Sequence, residues 1–154
     1  MKMIERIVAA IDFSIYSPRI LEYASGIAER SSAEIVAVNV INRRLCDALE
    51  KECKDDQLPV FLLEEFINDE TKRRLRKLND LISQWVSSKV SVRALVRRGV
   101  PFEQILQVLD DERADLLIVN SRGRTNFGDY MYGTTSEKTF RHSPVSVLSL
   151  NLRD

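Results

Sequence analysis

The segment that follows the fourth predicted strand carries residue types that bind phosphate groups. Residues 120–126 read Asn-Ser-Arg-Gly-Arg-Thr-Asn, and residues 133–135 read Gly-Thr-Thr. Gly123 and Gly133 allow the backbone to approach a ligand closely and to adopt positive φ. A helix that begins just after Gly133 presents free N–H groups and the positive end of its dipole, while threonine hydroxyls and arginine side chains add donors and charge. These residues therefore predict a phosphate-binding loop.

Two polar residues stand at the ends of buried strands and predict where that loop lies. Asp12 follows the apolar run of residues 7–11, and Asn120 follows a predicted strand at residues 115–119 that is apolar after Asp115. Short continuous apolar runs are typical of strands buried on both faces of a parallel sheet. Ligands in such sheets bind outside the carboxyl ends of the strands, where the strand order reverses. If these two strands are neighbours, Asp12 and Asn120 face one crevice.

Five strand-like segments alternate with helical patterns along the 154 residues. Strands are predicted over residues 7–11, 35–41, 90–96, 115–119 and 145–150. Helices are predicted after an N-cap at Ser17, beyond Pro59 for about 25 residues, after Pro101, and over residues 134–141. This alternation predicts an α/β fold: a doubly wound, Rossmann-like, five-stranded parallel sheet with helices on both faces, in a single domain of residues 1–154.

Two polar segments have less regular patterns. Residues 42–59 hold both cysteines and show no clean period, so they are interpreted as a connection with one short helix at most. Residues 72–77 are rich in lysine and arginine, which is compatible with an anion-binding patch. Acidic residues one turn earlier, such as Asp69 before Arg73 and Glu70 before Arg74, favour a solvated helix face instead.

Composition excludes several functional classes. The formal net charge is zero, which argues against a general nucleic-acid binder. Charges break the N-terminal segment and no apolar run is long enough to span a bilayer, so we expect a cytoplasmic protein without membrane contact. With His142 as the only histidine and no Cys-x-x-Cys pair, no metal site is predicted.

The sequence also lacks the motifs of three enzyme classes. It has no Gly-x-Ser-x-Gly elbow, no P-loop and no dinucleotide-binding glycine motif, and no catalytic residue is predicted.

The order of these features resembles the universal stress protein family over nearly the whole chain. Gly123, nine intervening residues and Gly133-Thr134 match the second half of the Gly-x2-Gly-x9-Gly-(Ser/Thr) motif of its ATP-binding branch. Asp12 corresponds to an aspartate that hydrogen-bonds adenine, and Val40 corresponds to an apolar adenine contact. Residues 144–147, Pro-Val-Ser-Val, resemble the family's closing strand. The resemblance implies the adenine nucleotide alpha hydrolase-like fold and a regulatory role in stress response.

The resemblance also implies a cofactor, namely ATP, AMP or ADP, with Mg²⁺ held mainly by phosphate oxygens. The nucleotide-binding residues that it assigns are Ala10, Asp12, Val40, Val119, Asn120, Gly123, Arg124, Gly133, Thr134 and Thr135. Asn120 replaces the first glycine of the motif, and asparagine is the non-glycine residue that best tolerates a left-handed backbone, so the turn is expected to survive. The alternative is a nucleotide-free dimeric interaction protein in which Asn120 closes the site. Any ATP hydrolysis should be slow, since no residue is found to position a water.

A homodimer is predicted through the last strand. Family members pair through this strand, and residues 145–150 form an apolar edge. Proteins seldom leave such an edge open, because its unpaired backbone groups invite pairing with another chain. Val145, Val147 and Leu148 are the residues expected at the interface.

Overall fold

The computed structural model describes residues 3–55, 60–121 and 134–151. Its elements occur in the order β1 (Arg6–Ala10), α1 (Ser17–Ser31), β2 (Glu34–Asn42), α2 (Arg43–Asp55), α3 (Val60–Trp85), β3 (Val92–Gly99), α4 (Pro101–Asp111), β4 (Leu116–Asn120), α5 (Thr134–His142) and β5 (Ser146–Leu150). Within these ranges, every helix is too short or too polar to cross a membrane.

The five strands form one parallel sheet in the order β3-β2-β1-β4-β5. The predicted fold class is therefore confirmed. From β1 the chain adds β2 and β3 on one side, and then adds β4 and β5 on the other side. The strand order consequently reverses between β1 and β4, which is where such sheets bind ligands.

Apolar cores cover both faces of the sheet. In β1, Ile7 and Ala9 pack on one face with Leu78 of α3, whereas Val8 packs on the other face with Val108 of α4. All five of these residues have exposed fractions of 0%. Successive side chains of a strand point to opposite faces, so a strand covered on both sides must be apolar at every position. The continuous apolar runs in the sequence have this cause.

β3 begins and ends later than its predicted range of 90–96. It pairs with β2 along its whole length, as far as Asn42 opposite Gly99. Gly99 ends the strand at a φ of 149°, and a Cβ atom there would lie 2.9 Å from Cγ of Gln104. Glycine is therefore favoured at this turn by the backbone angle, whereas the flexible side chain of Gln104 could move away from a Cβ atom.

Two local predictions need correction. The N-cap of α1 is Tyr16 and has no side-chain capping bond, while the predicted cap, Ser17, donates its hydroxyl to Asp12 Oδ1 at 3.2 Å. The connection after β2 contains α2, a helix of 13 residues, which is longer than the short helix predicted. Cys46 lies on the buried side of α2, in a small apolar cluster with Ile41. A polar segment can form such a helix because one narrow apolar stripe is enough to pack it against the rest of the protein.

Candidate functional site

The candidate site lies at the carboxyl ends of β1 and β4, which are adjacent parallel strands. Ala9 of β1 is paired with Ile118 of β4. Continuing that register by two residues places Ile11 level with Asn120, the last residue of β4. Asp12 follows immediately. The topology therefore brings the two strand-end residues to the same crevice at the switch point.

The Asp12 carboxylate organises the turn between β1 and α1. Its Oδ1 accepts a hydrogen bond from the Ser14 backbone N–H at 2.9 Å and one from the Ser17 hydroxyl at 3.2 Å. Phe13, which lies between Asp12 and Ser14 in the chain, has a φ of 62°, a left-handed conformation that bulky residues seldom adopt. The ammonium of Lys77 on α3 lies 4.7 Å from the centre of the Phe13 ring. The turn is thus held at an unusual geometry by contacts from α1 and α3.

The apolar residues assigned to the site share one face of the sheet. Ala10, Val40 and Val119 belong to or pack against the core cluster beneath α4. Val119 is only 4% exposed, whereas Ala10 and Val40 are half-buried. Ala10 and Val40 therefore offer apolar side-chain surface at the crevice, and the side chain of Val119 mainly supports them.

Asn120 is a strand residue, and not the left-handed turn residue that the glycine motif suggested. It ends β4, is 6% exposed, and is not among the described residues with positive φ. Its carbonyl accepts a hydrogen bond of 2.7 Å from the hydroxyl of Ser136 in the first turn of α5. This bond fastens the beginning of α5 to the carboxyl end of β4. The N-terminal turn of α5, whose N–H groups and dipole favour anions, therefore lies beside the crevice.

The remaining predicted contacts are only partly described. Thr135 is half-buried in α5, and its carbonyl accepts the Thr139 hydroxyl at 2.6 Å. Thr134 is the first residue of α5. Gly123, Arg124 and Gly133 lie outside the described residues, as does the side chain of Thr134.

A polar network at the same end of the sheet was missed by the sequence analysis. Arg74 of α3 donates from one terminal nitrogen to Asn39 Oδ1 at 3.0 Å and to the Val40 carbonyl at 3.3 Å. Asn39 in turn donates to the carbonyl of Ile11 at 2.7 Å. The Nε of Arg74 donates to Glu70 at 2.6 Å. The network therefore links α3 to the ends of both β2 and β1.

Glu70 accepts hydrogen bonds from two arginines of this network, and its carboxyl group has a low pKa. Arg73 donates two hydrogen bonds of 2.8 Å to its carboxylate. The Arg73 hydrogen bonds, together with those of Arg74 and both positive charges, lower the pKa of Glu70 to about 2 against the opposing effect of burial. The side chains of Glu70 and Arg74 are each 11% exposed.

The basic run is a solvated helix face as predicted, with the exception of Arg74: Lys72, Arg73, Arg76 and Lys77 are exposed. Arg73 is solvated and pairs with Glu70, whereas the side chain of Arg74 is mostly buried against β2. The available sequence signal was Asn39, a polar residue inside an otherwise apolar run, because a buried amide requires hydrogen-bonding partners. Arg74, four residues after Glu70, was the complementary signal.

The described residues contain no group of three histidine, cysteine or acidic side chains that could hold a metal ion. His142 is exposed at the end of α5, where its position fits the negative end of the helix dipole. The arrangement is thus suited to hydrogen bonding and to binding an anion at the crevice.

Comparison with known proteins agrees with this geometry. Residues 3–150 match the universal stress protein family. Universal stress protein MJ0577 of Methanocaldococcus jannaschii is 25% identical over 160 residues, covering 95% of this chain and 94% of that protein. The solved structure of MJ0577 has a TM-score of 0.82 to this chain, with 22% identity and 99% of each chain covered.

Two further solved structures share the fold and were determined with nucleotides. A universal stress protein in complex with cAMP has a TM-score of 0.64 and 19% identity, covering 97% of this chain and 98% of its own. The universal stress protein from Archaeoglobus fulgidus in complex with dAMP has a TM-score of 0.64 and 16% identity, covering 96% and 98%. The family match over nearly the whole chain, the strand order and the crevice at the switch point together show that this chain belongs to the universal stress protein family.

Proposed function

We propose that this chain is a cytoplasmic regulatory module of the stress response that binds an adenine nucleotide, most favourably ATP, at the crevice between β1 and β4. The observation that carries the proposal is the bond from Ser136 to the Asn120 carbonyl, which sets the N-terminus of α5 beside the strand-end turn of Asp12. One side of the crevice is thereby suited to phosphate and the other to a base. Two relatives of the same fold are complexes with the adenine nucleotides cAMP and dAMP.

In this proposal the adenine lies between Asp12 and Val40. Carboxylate oxygens accept hydrogen bonds, so Asp12, which Ser14 and Ser17 hold in place through Oδ1, is suited to contact a base amine. The half-buried side chains of Ala10 and Val40 supply an apolar surface for the ring.

The phosphates are proposed to lie on the backbone amides of Gly123, Arg124, Thr134 and Thr135, where the dipole of α5 favours negative charge. A bound Mg²⁺ would neutralise phosphate charge and be held mainly by phosphate oxygens. Because Asn120 has the extended conformation of a strand and is 6% exposed, it needs no glycine-like backbone. This favours nucleotide binding over the alternative in which Asn120 closes the site.

The test is isothermal titration of the nucleotide-stripped protein with ATP and Mg²⁺. We expect micromolar binding in the wild type that is lost in Gly133→Val. Gly26→Val is the matched control, because a Cβ at Gly26 in α1 meets no atom within 4 Å. Absence of binding by the wild type at millimolar ATP would refute the proposal. Equal losses in the two variants would show that valine acts through the fold and not through the loop.

We further propose that β5 forms a homodimer interface. The two edges of the sheet differ in charge. β3 carries Arg93 and Arg97, which blunt that edge: Arg93 pairs with Glu112, the C-cap of α4, and Arg97 pairs with Asp111, the last residue of α4. β5 reads Ser-Val-Leu-Ser-Leu and has no charged residue. An apolar edge of this kind is suited to pairing with a second copy of the chain.

A further inference from the structure

We propose that Arg74 is a positioning residue for the adenine end of the nucleotide site, an inference that rests on the proposed function. In this role Arg74 holds the end of β2 and the residue before Asp12 at the spacing that a base requires. Val40 and Asp12, the two proposed base contacts, lie on different strands. Their separation is therefore set by whatever bridges the strands beyond the last ladder bond.

The ladder between β1 and β2 ends just below the crevice. Its last described bond runs from the Ile11 backbone N–H to the Val38 carbonyl at 2.8 Å. Carbonyls of alternate strand residues point the same way, so the Val40 carbonyl also points toward the β1 side, beyond the ladder. Arg74 donates to that carbonyl at 3.3 Å. A helix side chain thus takes the place of a ladder donor at the edge of the site.

Asn39 transmits the same constraint to β1. The amide nitrogen of Asn39 donates to the Ile11 carbonyl at 2.7 Å, and its oxygen accepts from Arg74 at 3.0 Å. The Ile11 carbonyl belongs to the peptide group that leads into Asp12. Through Asn39, the position of Arg74 is therefore coupled to the residue proposed to read the base.

Arg74 is itself held in a single geometry. Its Nε donates to Glu70 at 2.6 Å, and its side chain is 11% exposed. One turn further along α3, Lys77 lies over the ring of Phe13 in the β1–α1 turn. The helix consequently holds both sides of the adenine end. An apolar side chain of similar size could serve stability as well as a buried ion pair does, because desolvation offsets the attraction of the charges. The clearest role of the Glu70–Arg74 ion pair is therefore to fix the position of the Arg74 side chain against β2.

The test compares Arg74→Met with Arg73→Met. Both variants remove one arginine partner of Glu70, but Arg73 is 62% exposed and only Arg74 reaches β2. Binding of ATP, adenosine and inorganic tripolyphosphate is measured by titration for each protein. For Arg74→Met we expect adenosine and ATP to bind about tenfold more weakly, the equivalent of one lost hydrogen bond to a charged group, with tripolyphosphate unchanged. For Arg73→Met we expect less than about a twofold change for all three probes.

Each outcome separates this inference from the proposed function. If the wild type binds ATP and Arg74→Met binds adenosine equally well, the positioning role is wrong and nucleotide binding stands. A parallel loss of adenosine and tripolyphosphate binding would indicate a general structural effect and also overturn the inference. If the wild type binds no ATP, both proposals fail. Should Arg74→Met not fold, Arg74→Lys keeps the charge but has a single donor nitrogen in place of the two that Arg74 uses, and it must still lower adenosine affinity relative to tripolyphosphate.

Discussion

Replacing Glu70 by glutamine should change the acid stability of this protein in a defined direction. The pKa of Glu70 is lowered from 4.5 to about 2, first by hydrogen bonds from Arg73 and then by those of Arg74 and both charges. Because the folded-state pKa lies below the usual value, the stabilisation is present above about pH 4.5 and is lost as the pH falls toward 2. Glutamine keeps an acceptor oxygen but removes the charge, and with it this pH dependence.

The magnitude follows from the pKa shift and the exposure of the partners. At about 1.4 kcal/mol per pKa unit, the full shift corresponds to about 3 kcal/mol. Solvent screens part of this energy, because Arg73 is 62% exposed even though Arg74 and Glu70 are 11% exposed. We therefore expect Glu70→Gln to be less stable than the wild type by about 2 kcal/mol at pH 7, with the difference vanishing near pH 2.

Urea denaturation at a series of pH values between 7 and 2 measures this difference. The matched control is Glu65→Gln, which removes an exposed carboxylate from the same helix and should follow the wild-type pH dependence within about 0.5 kcal/mol. If Glu70→Gln also follows the wild-type curve, the ion pairs of Glu70 do not contribute in solution and the reasoning is refuted. If the difference in unfolding free energy between the wild type and Glu70→Gln grows as the pH falls, the direction assigned to the pKa shift of Glu70 is wrong.

Two further predictions concern the dimer and the core. Val147→Lys in β5 should convert a dimer into a monomer in size-exclusion chromatography with light scattering, because it places a charge on the apolar edge. A dimer that persists would place the interface elsewhere. Leu78→Ala should cost about 2–5 kcal/mol in urea denaturation, since Leu78 is 0% exposed in the core beneath α3. Leu75→Ala on the same helix, at 36% exposure, should cost only about 1 kcal/mol, and equal losses would contradict the packing described.

Much of the fold was predictable because its physical causes are local. Residues 7–11 and 116–119 are apolar at every position, as strands covered on both faces must be. α5 was predicted over residues 134–141 and is observed as Thr134–His142. The length of α2 and the end of β3 were less predictable. A polar helix needs only one buried stripe, and β3 continues as far as its partner β2 does.

The residues of the candidate site also differ in how far the sequence predicts them. Asp12 and Asn120 could be placed at strand ends from the sequence, because strand ends are visible where an apolar run stops. The Asn39–Arg74–Glu70 network could not, because it joins residues 35 positions apart through the docking of α3 on β2. The conformation of Asn120 was also misjudged, since its glycine-motif position suggested a turn while its pairing with Leu150 keeps it in β4.

The sequence alone determined the strand and helix content, the parallel sheet and the family resemblance, because apolar periodicity and short motifs act over a few neighbouring residues. Only the tertiary structure decided which strands are neighbours at the crevice, how α5 is fastened to β4, and that Arg74 is mostly buried while Arg73 is solvated. Adjacent residues of a helix point in directions about 100° apart, so a run of like charges does not reveal which member meets the sheet. That choice is made by the packing of α3 against β2, where the ends of the strands leave backbone carbonyls for a side chain to satisfy.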